Sequence, residues 1–247
     1  MKRFNWQILL GFSLVVLSVI LYFVHYLVFR DSHHIFIYML GDIAFIPVEV
    51  LLVTLVIHQL LSMRQKRAIL EKLNMIIGAF FSEVGAGLLA YFSDSDPQLD
   101  KIRQDLVVTG DWSDQKFLSV SKRLKNYDYG IEVQKVDLEH LRSFLVKERD
   151  FLVRLLENPN LLEHESFTKL LLAVFHLTEE LVKREDVKRL PDTDFQHLAG
   201  DIKRAYTLLV REWLDYMRYL KDNYPYLFSL AMRTNPFDQC ASLIVKA

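Results

Sequence analysis

Residues 35–61 read IFIYMLGDIAFIPVEVLLVTLVIHQLL, and this stretch decides the fold. A helix rises about 1.5 Å per residue, so about 20 mostly apolar residues cross the hydrocarbon core of a bilayer. These 27 residues are long enough, yet they carry Asp42, Pro47, Glu49 and His58. A carboxyl group inside a spanning helix is expensive, so by default it marks a polar pathway or a helix–helix contact.

Upstream, Gln7–Phe29 is a second apolar run of 23 residues, interrupted only by Gln7, Ser13, Ser18 and His25. A cleaved signal would have a shorter apolar core and a small-residue cleavage site after it. Here Phe29 is followed by Arg30-Asp31-Ser32-His33-His34 and then at once by the second run, so a retained helix is expected. Lys2 and Arg3 precede the first run, and Arg64, Lys66 and Arg67 follow the second, whereas the connection holds Arg30 alone, offset by Asp31. The positive-inside rule then predicts a multi-pass protein of the inner (plasma) membrane with both termini cytosolic. Residues 1–61 are expected to form a two-helix transmembrane hairpin, with spans at about 7–29 and 35–61.

A hairpin aligns polar residues by depth. Counted from Ser32, His25 lies seven residues back and Asp42 ten forward, so their depths differ by about 4–5 Å. A His25–Asp42 contact is expected, within one chain or between neighbours. Glu49 is seven residues beyond Asp42, almost two turns, which puts both acids on one face. Pro47 lies between them and frees the carbonyl of Ile43. His58 falls near the inner interface. Asp42, Glu49, His25, Pro47 and His58 thus form the candidate polar face. Two helices enclose no pore, so conduction of protons or cations along this face requires several subunits. The alternative is that the acids hold helices together.

Charge excludes one class of partner. The chain holds 30 Lys+Arg and 31 Asp+Glu. Taking away three of each sign in residues 1–61 leaves 27 basic and 28 acidic side chains in 62–247. Nucleic-acid binders usually show a basic excess, so nucleic acid is not an expected partner. The lone Cys240 rules out a disulfide framework or a Cys-based zinc site within one chain. With 8 Gly and 6 Pro, breakers are scarce and an all-α fold is expected throughout.

Beyond the second run, Ser62–Phe92 carries Ile69, Leu73, Ile76, Phe80 and Val84 at helical spacing, which predicts a juxtamembrane stalk over 62–92. Gly78 and Gly85 are seven apart on one face. With Phe80 they are candidates for close packing against a sister helix or the bundle, and a break near residue 85 is the alternative. Residues 93–247 are expected to form a cytosolic antiparallel helical bundle. Ser93–Pro97 opens it, Gln98–Val108 is a short helix, and Ser113 or Asp114 caps another through Lys125. Three long stripes follow, Leu138–Leu155, Phe167–Leu181 and Phe195–Leu220. Asp137 is the expected cap of the first, and Thr193 with Gln196 fits a capping box for the third. The tail 233–238 carries Phe237, which reads as exposed, with a peptide-like contact to the bundle or a partner as the alternative.

Asp137-Leu-Glu-His140 and Asp194-Phe-Gln-His197 share the spacing Asp-x-x-His on different helices. His176 with Glu179 or Glu180, and His164 with Glu163 or Glu165, are further donors. Paired-metal carboxylate bundles use Glu-x-x-His with additional inward Glu residues. Here both aspartates fall at helix starts, where capping explains them, and Glu148 is the only acid on a stripe. No metal and no cofactor is therefore expected. No phosphate loop, nucleophile elbow or His-Glu-x-x-His is present, and the chain is not expected to be an enzyme. The leading expectation is a self-associating membrane protein whose cytosolic bundle senses or binds a partner and whose hairpin responds. The alternatives are an oligomeric conductor lined by Asp42 and Glu49, and a membrane-anchored scaffold.

Overall fold

The computed structural model describes residues 2–244, and the side chains of residues 2–7, 67, 162 and 163 lie outside the described set. Lys2, Arg3, Arg67 and Glu163, used above, are among the latter. The described residues are helical with no strand among them, as the scarcity of breakers predicts. The chain divides into two compact units, Met1–Gln65 and Lys66–Ala247.

In the first unit, α1 (Lys2–Phe29) and the start of α2 (Ser32–Phe80) are joined by Arg30 and Asp31 alone. Arg30 adopts the left-handed conformation with φ 48°, and its N–H donates to the Tyr26 carbonyl at 2.8 Å, closing α1. The Asp31 carboxylate accepts from the N–H groups of His33 and His34 at 2.9 and 3.3 Å, capping α2. Pro47 sits inside α2 without ending it. Both helices are long and apolar enough to cross a membrane, and neither apolar window is buried within the chain.

The second unit begins with the last turns of α2. They run into a π turn, Phe81–Gly85, and then α3 (Ala86–Ser93). Phe80, Val84, Leu88 and Phe92 follow one another at intervals of four, and all are fully buried. In a regular helix each step of four drifts by about 40° round the axis, or about 120° over three steps. The wider π turn absorbs that drift and keeps the column on the core. The structural departure expected near Gly85 is thus a π turn inside a continuing helix.

Then come α4 (Asp100–Leu106), α5 (Asp114–Lys125), α6 (Leu138–Leu156), α7 (Glu165–Val182), α8 (Asp192–Asn223) and α9 (Pro225–Arg233). Ser113 caps α5 by accepting from the Lys116 N–H at 3.3 Å, and Asp137 caps α6 by accepting from the His140 N–H at 3.0 Å. At α7, His164 is the cap, its Nδ1 accepting from the Phe167 N–H at 3.3 Å. The capping box expected at Thr193 is not used. Pro191, with φ −60°, precedes the first turn of α8, where its fixed φ suits helix entry. The helix therefore starts before Thr193. α8 packs against α3, α5, α7 and α9, and α7 also packs on α6. Its apolar stripe, Leu198, Ile202, Ala205, Leu209, Trp213, Met217 and Leu220, is buried throughout.

The tail corrects a second expectation. Phe237 is fully buried and meets the Trp213 ring edge-on at 5.3 Å. Asn235 is also buried, and its amide donates to the Leu106 carbonyl at 2.9 Å. Pro236 and the turn around it bring a ring that looked exposed in sequence back onto α8.

Candidate functional site

In the first unit the polar residues gather near the connection. Ser18, Tyr22 and His25 from α1 face Tyr38 and Asp42 from α2 across a cleft of about 430 Å³. His25 is half-buried, its ring 4.7 Å from Phe29, and its Nδ1 makes no hydrogen bond. The expected pairing of His25 with Asp42 is therefore approach without a bond. Asp42, Pro47, Glu49 and His58 are exposed, and no hydrogen bond or ion pair within the chain involves the two acids among the described residues.

Gly78, Phe80 and Gly85 are all occupied within the second unit. A Cβ on Gly78 would lie 2.8 Å from the Tyr216 hydroxyl, and one on Gly85 would lie 2.5 Å from the Phe81 ring. Phe80 is fully buried and meets the rings of Phe81 and Phe167, each at 5.4 Å. The small residues thus admit aromatic side chains of the same chain.

The second unit holds a polar cleft of about 600 Å³ between α5, the start of α7 and α8, lined by Lys125, His164, Ser166, Lys169, Arg211 and Glu212 among others. Glu212 is only 4% exposed. Burial pushes its carboxyl above the usual range, while Ser166 and His164 act against that rise. The Nε of Arg211 is buried without a partner. Sequence reading missed this cleft, because the burial of Glu212 comes from the start of α7 folding over it and leaves no local pattern.

The raised carboxyl has a checkable consequence. A folded-state pKa above the unfolded value means that the native state holds the proton longer. Stability is therefore full below 4.5, the ordinary glutamate value, and declines as pH rises toward the folded-state value. Glu212→Gln should remove this decline. Thermal unfolding of wild type and variant between pH 4.5 and 8 is expected to show the variant gaining on wild type as pH rises. Parallel curves would contradict the assignment.

Neither Asp-x-x-His pair forms a site. Asp137 is committed to its cap, and His140 meets the Tyr91 hydroxyl. Asp194 receives both arms of the Arg184 fork, at 2.8 and 2.6 Å, which holds its carboxyl below the usual range.

Comparison with known proteins covers most of the chain. Residues 2–61 match the family described as "MJ1433, N-terminal helical domain", and residues 69–233 match "Uncharacterized protein MJ1433, C-terminal helical domain". The chain is 47% identical over 240 residues to "Uncharacterized protein MJ1433" of Methanocaldococcus jannaschii, covering 97% of this chain and 96% of that one. No solved structure matches. The identity and coverage establish that the chain belongs to the MJ1433 family.

Proposed function

We propose that this is an integral protein of the inner (plasma) membrane that self-associates through its two spans. Both termini are cytosolic, and the helical unit 66–247 binds a cytosolic partner or ligand to which the hairpin responds. One observation carries this reading. The apolar windows of α1 and of the first part of α2 are unburied, while Asp42 and Glu49 have no hydrogen-bond or ion-pair partner among the described residues. Lipid satisfies the apolar surface, but a carboxyl group in hydrocarbon needs another polar group, and a second copy supplies one. The absence of any catalytic motif favours binding and response over catalysis.

The second reading, an oligomeric proton or cation conductor, rests on the cleft lined by Ser18, Tyr22, His25 and Asp42. The subunit count tests the first reading. Full-length protein in nanodiscs, weighed by native mass spectrometry, is expected to be oligomeric, and the double variant Asp42→Asn, Glu49→Gln to shift toward fewer copies. A wild-type monomer overturns self-association. Four or more copies, with ion flux in liposomes that the double variant abolishes, would favour the conductor instead.

A further inference from the structure

On adjoining turns of α7 and α8 the chain repeats one arrangement, an imidazole four residues before a carboxylate: His176 and Glu180 on α7, His197 and Asp201 on α8. That spacing puts each pair on one helix face, and the packing of α7 on α8 turns the two faces together. The Nε2 atoms of His176 and His197 each lie 3.4 Å from Oδ2 of Asp201. They lie 3.9 and 3.7 Å from the Glu180 carboxylate. The donor atoms of His176, Glu180 and His197 fall within 4.8 Å of one another.

We propose that His176, Glu180, His197 and Asp201 bind a divalent transition-metal ion of the zinc class, clamping α7 to α8. The independent observation is Asp201. Its side chain is 2% exposed, its Oδ1 is held by Arg204 at 3.0 Å, and its Oδ2 accepts no hydrogen bond while facing both imidazoles. A buried carboxylate oxygen without a donor is costly, and a cation at that point would satisfy it. In a tetrahedral zinc site with bonds of about 2.0–2.2 Å, neighbouring donors stand about 3.3–3.6 Å apart. The two contacts to Asp201, at 3.4 Å, already have that length, whereas those to Glu180, at 3.9 and 3.7 Å, are longer, so ion binding draws that carboxylate inward.

The surroundings suit the role. Arg204 on Asp201 and Arg184 on Glu180 at 2.7 Å orient the two carboxylates from outside, as outer partners do in metal sites. Two imidazoles with two carboxylates favour zinc, cobalt or nickel over magnesium or calcium. The imidazoles are about half exposed, 46% and 53%, so an ion can enter from solvent. The site does not depend on the membrane reading.

The test uses untagged full-length protein in detergent, stripped with chelator and dialysed against zinc chloride, with bound metal measured by mass spectrometry. About one equivalent per chain is expected, together with a rise in melting temperature on zinc addition. Cobalt in place of zinc should give the intense visible absorption of tetrahedral coordination. His176→Ala and His197→Ala, at half-exposed positions that leave the core intact, should each weaken binding about 100-fold or more and abolish the melting shift. Less than about half an equivalent at saturating zinc would overturn the proposal. So would zinc uptake and a melting shift that persist unchanged in both variants, because the ion would then sit elsewhere.

Discussion

Phe80→Ala is expected to lower the stability of the helical unit by about 4 kcal/mol, one of the two largest effects foreseen for a single substitution. Phe80 is fully buried and in edge-on contact with Phe81 and Phe167. Truncation leaves a cavity between the end of α2 and α7, which neighbouring aromatic rings are too rigid to fill. For a unit of this size the loss corresponds to a fall of about 12 °C in melting temperature. The emission of Trp112 and Trp213, both in the second unit, reports it. A small shift accompanied by dissociation of the oligomer would instead place Phe80 against a sister chain.

The second large effect is at the tail. Phe237→Ala should cost about 3 kcal/mol, because the ring fills space against Trp213 and is completely enclosed. Phe237→Leu should recover more than half of the loss, since a volume-conserving apolar replacement keeps most of the packing. The same fluorescence melt decides it. An unchanged melting temperature in Phe237→Ala would show the ring to be peripheral to the fold and available to a partner.

The helical class was legible because its determinants are local. The stripe from Leu198 to Leu220 repeats every three or four residues, and Ser113 and Asp137 sit where a cap is needed. What escaped depends on contacts distant in sequence. Phe237 follows Asn235-Pro236, a pattern that marks a turn but says nothing of where the turn leads. Thr193 and Gln196 satisfy a capping pattern that Pro191 pre-empts. The π turn is visible only as a run of buried residues four apart, which sequence alone does not separate from a drifting α-helix.

The α7–α8 cluster shows the same limit from the other side. In sequence His197 pairs with Asp194 by the Asp-x-x-His spacing, and His176 with Glu179 or Glu180. Asp194 belongs to Arg184, and the acid that faces His197 is Asp201, one turn further on. Of the two His-before-carboxylate pairs at a spacing of four, His176–Glu180 was legible in sequence, whereas His197–Asp201 shows only once α7 packs on α8.

The link between α1 and α2 is two residues, Arg30 and Asp31. In the proposed membrane arrangement it is all that separates the spans on the outer side, and two residues of extended chain cover about 7 Å. That is too little for an ectodomain, a glycan-bearing loop or a binding surface. In that proposed arrangement an outside stimulus would meet almost no protein, and the inputs to look for would be a soluble ligand of the bundle, a change in the lipids, or another membrane protein.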